Sequence, residues 1–240
     1  MTENKIPELK MPEGNNLTFA EVNEAFVDVA EYSQGKILAD MKYAEAGRTG
    51  AITRPLVRLQ VADMLLRAAE LLPAGYRLKI FDAWRPYEVQ KSLYDEYYEK
   101  IAAENPKLDV EELHRLSREF VSYPDKSRRF AYVHSSGGAV DLTVVDELSR
   151  ELDMGTEFDD FSPLAASCYF ENSDNSEVRD NRRILYSAMT RAGFTNFPNE
   201  WWHYDYGDIF YARISGEAVK YPSVYSEEQM TLEDKKCPIS

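Results

Sequence analysis

The chain has 240 residues, of which 44% are apolar and 29% charged, enough to bury a continuous core in one large domain or two small ones. Forty-two acidic against 28 basic side chains leave a formal charge of -14. That balance excludes a phosphate-gripping nucleic-acid module and favours a cationic or zwitterionic ligand.

In chain order, residues 1–16 read as a polar arm. Charge and proline stand there where a secretory leader would be apolar, so a cytoplasmic location is expected. Val57, Val61, Met64, Leu65, Ala68, Leu71 and Leu72 recur at spacings of three and four, which predicts an amphipathic helix over 57–72 ending near Pro73 and Gly75. Tyr76 to Trp84 alternates and predicts a strand. Pro86 suits the first residue of a further helix with Val89, Leu93, Tyr97 and Ile101 on one face, and Arg85 sits extended at that junction. A third helix is expected over about 109–121, a buried strand over Ala139 to Val145, and a helix over 177–192 closed by Gly193. Trp201 to Tyr206 predicts a last strand, and the pattern is silent after about 216. Strands and helices mix without regular alternation, so a single α+β domain is expected over 25–215, with residues 1–24 as an arm and 216–240 as a tail. No apolar run is long enough to span a bilayer. Cys168 and Cys237 lack metal-ligand spacing and read as free thiols.

The chain has three histidines. His114 lies in a charged helical pattern and reads as a solvated surface residue. His134 opens HSSGGAVD, which ends at Asp141; His203 closes EWWH, which begins at Glu200. Two imidazoles and a carboxylate form a complete catalytic zinc set with one position left open. The glycine pair permits a sharp turn, and Ala139 and Val140 then start a strand that returns Asp141 toward the metal. A carboxylate in that apolar run is costly unless a cation accompanies it. Glu200, three residues before His203, can accept a proton from a water at the site. Each motif alone recurs by chance, and a tryptophan pair is usually core. Together they use two of the three histidines and include the glycine turn.

HSSGGAVDLT (134–143) and EWWHY (200–204) resemble the zinc D-alanyl-D-alanine dipeptidases of peptidase family M15, the group that includes the vancomycin-resistance dipeptidase. Further matches run in order: KYA at 42–44, WRP at 84–86, MGTEFD at 154–159 and NRRILYSAMTRAGF at 181–194. The resemblance implies an α+β fold with a central, mainly antiparallel sheet, shared with zinc D,D-carboxypeptidases, certain phage endolysins and the hedgehog signalling domain. It implies one zinc per chain on His134, Asp141 and His203, with Glu200 as general base. Arg85 would stabilise the tetrahedral intermediate, and Tyr43 and Asp159 would meet the free amine of a small dipeptide. Many relatives carry a serine two residues before the first histidine that helps hold the substrate carboxylate. Tyr132 stands there in this chain, which makes it a substrate-contact candidate and leaves the preferred C-terminal residue open.

The expected activity is hydrolysis of D-alanyl-D-alanine or a related D,D-dipeptide, with neither nucleic acid nor membrane as partner. Two rivals remain. One is a D,D- or L,D-carboxypeptidase or endolysin acting on longer peptidoglycan stems in an open groove. The other is a non-catalytic, zinc-stabilised binding module, which would have no use for a base such as Glu200.

Overall fold

The computed structural model describes residues 5–12, 16–118 and 120–234. The chain enters through a short strand β1 (Phe26–Asp28), a helical turn α1 (Val29–Tyr32) capped by the Asp28 carboxylate, strand β2 (Leu38–Ala39) and a second turn α2 (Lys42–Glu45). Strand β3 (Leu56–Arg58) pairs antiparallel with β1 and runs directly into helix α3 (Leu59–Leu71). The expected helix over 57–72 thus begins two residues late. Val57 pairs with Val27 across the small sheet, so a sheet contact overrides its helical spacing.

Strand β4 (Arg77–Asp82) leads to helix α4 (Tyr87–Glu104), for which Pro86 is the N-cap rather than the first helical residue. Helix α5 (Val110–Ser117) follows, capped by the Asp109 side chain, and is shorter than the expected 109–121. Strand β5 (Ala139–Val145) is buried at every position. Helix α6 (Ser176–Ala192) is closed by Gly193 at φ 106, a left-handed conformation that glycine adopts without steric cost. Strands β6 (Thr195–Asn196) and β7 (His203–Asp205), then helices α7 (Ile209–Ser215) and α8 (Glu227–Asp234), complete the chain. The last strand is shorter than the aromatic run suggests, because Trp201 and Trp202 lie in the turn before it.

The main sheet has the order β2-β4-β5-β7-β6, with β2 and β4 parallel and the other pairings antiparallel. Helices α3 and α6 pack against one another beside it. Val61, Leu65 and Ala68 from α3, Leu185, Ala188 and Met189 from α6, and Leu78, Ile80, Leu142 and Val144 from the sheet share one core. This is the expected α+β architecture with a mainly antiparallel centre. Among the described residues, no helix is long and apolar enough to cross a membrane.

Two segments that sequence leaves undefined are fastened down. Ile6 is 2% exposed, and its N–H donates to the Glu171 carboxylate, so part of the N-terminal arm packs on the body. After α7, Val219, Tyr221 and Val224 are buried, and the Val224 carbonyl accepts from the Trp84 indole at 2.7 Å. Cys168 is a free thiol, while Cys237 lies outside the described residues.

Candidate metal centre

The site forms where the three middle strands end. In register, Asp82 of β4 faces Asp141 of β5, and Asp141 faces His203 of β7. An irregularity between Ile80 and Asp82 shifts the β4 register at this point, a common device for re-aiming a side chain. Residues 133–136 form a single 3-10 turn before β5. Gly137 sits at φ 73, and a Cβ there would lie 2.2 Å from the Phe26 ring. A Cβ on Gly138 would lie 2.2 Å from the Tyr206 carbonyl oxygen. The glycine pair is therefore needed for both backbone angle and close approach, and it sets His134 beside the start of β5.

His134, Asp141 and His203 are each under 5% exposed. One ligand-type atom from each lies within 4.8 Å of the others. His134 Nε2 is 3.3 Å from Asp141 Oδ2, and His203 Nδ1 is 2.9 Å from Asp141 Oδ1. The other ring nitrogens are already used. His134 Nδ1 lies 2.8 Å from the Ala83 carbonyl oxygen, to which it donates. His203 Nε2 lies 2.8 Å from Asp205 Oδ1. Those two contacts orient the rings and turn His134 Nε2 and His203 Nδ1, the nitrogens left to meet a metal, toward Asp141.

The electrostatics of the cluster call for a positive charge. Burial alone would raise the Asp141 carboxyl, but the two histidines more than offset it and hold it far below the ordinary carboxylate range. Burial would lower His203, yet Asp205 and Asp141 push it well above the usual imidazole value. Asp205 is fully buried, and its Oδ2 has no hydrogen-bond partner. With two buried carboxylates around one imidazole, either a proton on His203 or a metal cation balances the site. Two nitrogens and a carboxylate oxygen are the donor set that suits a borderline-soft divalent metal.

Glu200 lies in the turn before β7, its Oε2 3.8 Å from His203 Nδ1 and its side chain 17% exposed. Burial, reinforced by Asp141 and Asp159, pushes its carboxyl up to about 8 against the pull of His203 and Arg85. Arg85 packs against Asp141 of the triad. Its Nε donates to Asp82 at 2.7 Å, Nη1 to Gln90 at 2.8 Å and Nη2 to Asp141 at 3.4 Å. Burial would lower the guanidinium, but Asp82 leads a group of partners that holds it above its ordinary range.

Tyr43, on α2, donates to Asp159 Oδ2 at 2.8 Å, and its ring lies 4.9 Å from the Arg85 guanidinium carbon. Asp159 has φ 61, uncommon outside glycine but tolerated best by Asp and Asn. The loop that carries it is anchored twice. Trp201 Nε1 donates to Thr156 Oγ1 at 2.8 Å, and the Arg182 guanidinium donates to the carbonyls of Met154, Leu164 and Ala166. Phe158 packs on Trp202, Phe81 and Tyr43. Tyr132 is 2% exposed, and its hydroxyl donates to the Arg85 carbonyl oxygen at 3.0 Å.

All eight residues singled out in the sequence, Tyr43, Arg85, Tyr132, His134, Asp141, Asp159, Glu200 and His203, line one cavity of about 450 Å³. His114 lies elsewhere. It is half-buried among Tyr94, Tyr98 and Tyr123, and its Nδ1 is 2.7 Å from the Tyr94 hydroxyl, so it is packed rather than solvated. Sequence reasoning missed Asp82, Asp205, Gln90 and Arg182. Asp205 had a usable signal, since residues two apart on a strand share a face and it follows His203 at that spacing.

A family model described as D-ala-D-ala dipeptidase matches residues 23–221, which include every candidate site residue. The D-alanyl-D-alanine dipeptidase of Synechocystis sp. is 28% identical over 183 residues, covering 69% of this chain and 73% of its own length. That of Escherichia coli is 30% identical over 132 residues, with coverage of 55% and 56%. That of Enterococcus faecium is 29% identical over 158 residues, with coverage of 64% and 74%.

Proposed function

The chain belongs to the D-ala-D-ala dipeptidase family of M15 peptidases, and from that premise we propose that it is a zinc dipeptidase that splits D-alanyl-D-alanine, or a closely related D,D-dipeptide, into free amino acids. The observation that carries this reading is the convergence of His134, Asp141 and His203 within 4.8 Å, with the Glu200 carboxylate alongside.

His134 through Nε2, His203 through Nδ1 and Asp141 through its carboxylate would hold the zinc. Bound there, zinc supplies Lewis acidity for attack on an amide carbonyl. The protein supplies the proton transfers. Glu200 accepts the proton of the attacking water and returns it to the leaving amine, roles that suit a carboxyl whose burial strengthens its hold on a proton. Arg85 faces the cavity with part of its donor fork uncommitted and stabilises the negative charge that develops on the carbonyl oxygen. Asp82 and Gln90 hold the guanidinium in place. Asp159, supported by the Tyr43 hydroxyl, pairs with the substrate ammonium. Tyr132 spends its hydroxyl on the Arg85 backbone and offers its ring as wall.

A dipeptidase must recognise a free ammonium one residue from the bond it cuts, and a fixed, shielded carboxylate does this strongly. N-acetylation removes that charge and adds bulk against Asp159. Wild type should therefore cleave D-alanyl-D-alanine with a much higher kcat/KM than its N-acetyl form, and Asp159→Asn should narrow the gap. Equal or faster cleavage of the blocked peptide would instead support a carboxypeptidase.

A further inference from the structure

The cavity is larger than its proposed substrate requires. At about 450 Å³ it falls within the range that holds drug-sized ligands, whereas D-alanyl-D-alanine offers only two methyl groups as side chains. Beyond the triad, Leu93 and Tyr97 of α4, Phe120 after α5 and Phe161 also line it. Three of these rings pack on one another. Tyr97 and Phe161 have centroids 5.4 Å apart, Tyr97 and Phe120 5.7 Å, and Phe120 and Phe161 6.1 Å. Phe120 is nevertheless 46% exposed. A large ring left open to water inside a cavity gains from contact with an apolar group of a ligand.

The position of this wall assigns it to one end of the substrate. Phe161 follows Asp159 by two residues on the same loop. Arg48, whose guanidinium carbon lies 5.8 Å from the Tyr43 ring, pairs at 2.6 Å with Glu96, the neighbour of Tyr97 on α4. The rings thus border the Tyr43–Asp159 end, where the ammonium is placed.

We propose that Tyr97, Phe120 and Phe161 form a side-chain subsite for the N-terminal residue, so that the protein also takes D,D-dipeptides in which that residue is aromatic or large and aliphatic. The inference rests on the dipeptidase reading and extends it to a substrate class. A bulky side chain fills the outer cavity while its ammonium stays on Asp159. A longer peptide could fill the same space only by giving up that ammonium contact.

The test is kcat/KM for D-Ala-D-Ala, D-Phe-D-Ala and D-Ala-D-Phe with wild type, Phe120→Ala and Phe161→Ala. Phe120 is half-exposed, so its truncation does not endanger the fold. Wild type should cleave D-Phe-D-Ala at a rate comparable to D-Ala-D-Ala. Each truncation should lower the D-Phe-D-Ala to D-Ala-D-Ala ratio by about tenfold, the effect of about 1.4 kcal/mol of lost ring contact. Cleavage of D-Ala-D-Ala alone by wild type, or a ratio unmoved by both truncations, overturns the subsite while leaving the dipeptidase reading intact. A dependence on Phe120 seen with D-Ala-D-Phe instead overturns its assignment to the N-terminal side. Cleavage of none of the three by zinc-loaded wild type overturns the dipeptidase reading and the subsite with it.

Discussion

The Tyr43 hydroxyl lies 2.8 Å from the Asp159 carboxylate, although 116 residues separate the two in the chain. Burial pushes the Asp159 carboxyl up to about 6 from an ordinary 3.8, against the pull of Arg85. The folded chain therefore holds this proton more tightly than the unfolded chain. The stability gained from it is full below about pH 3.8 and is lost as pH rises through about 6. Asp159→Asn, which also tolerates the positive φ, should thus raise the Tm of chelator-treated protein relative to wild type at pH 7, and by less at pH 4. A Tm difference that shrinks with rising pH would show that Asp159 is stabilised as the anion by the fold itself. Its strained and destabilised state would then not be the mark of a ligand-binding carboxylate.

Arg85 should act through the transition state and Asp82 through Arg85. Asp82 accepts from the guanidinium at 2.7 Å and lies 3.4 Å from His134 Nδ1, the ring nitrogen turned away from Asp141. Arg85→Ala should lower kcat more than it raises KM, because its contact strengthens as charge develops. Arg85→Lys should recover only part of the loss, lacking the planar fork. Asp82→Asn should reproduce a weaker version of the same kcat loss. In the Arg85→Ala background it should add little, since neighbours that work as a unit are not additive. Independent, multiplicative effects would separate the two residues.

His203 should depend on Asp205 for its grip on metal. Asp205 accepts from His203 Nε2 at 2.8 Å and thereby directs Nδ1 to the triad. Loss of such a support typically weakens metal affinity by about 10–100-fold. Asp205→Asn should shift zinc competition against a chromophoric chelator by that order. His203→Ala should abolish stoichiometric binding. Unchanged zinc content in His203→Ala, measured by elemental analysis, would remove it from the ligand set.

What sequence could show, and what it could not, divides along physical lines. Strand β5 was legible at its bounds because a short, mostly apolar run between the Gly137–Gly138 pair and Asp146 has few other readings, and all seven of its residues are buried. Helix α6 was legible because its spacing and its Gly193 cap agree. His134, Asp141 and His203 were legible because rare residue types stood in two short motifs. Val57 was misread because a three-residue strand carries too little periodicity to compete with the helix it joins. Asp82 and Arg182 were missed for another reason. A carboxylate at a strand end or an arginine on an amphipathic helix is ordinary on a solvated surface. Only the fold shows Asp82 4% and Arg182 2% exposed. Resemblance to a family supplied what residue patterns did not, namely Tyr43 and Asp159 as a pair.

Glu200→Gln decides whether Glu200 moves the proton in a zinc-dependent cleavage of D-alanyl-D-alanine. The amide keeps the shape of the side chain but cannot accept the water's proton. D-alanine release should be measured for wild type and variant at matched zinc content. Both should carry full zinc, with turnover of the variant lower by at least about 10²–10⁴-fold, the usual contribution of a general base. Turnover within a few-fold of wild type, at equal zinc, would contradict that role.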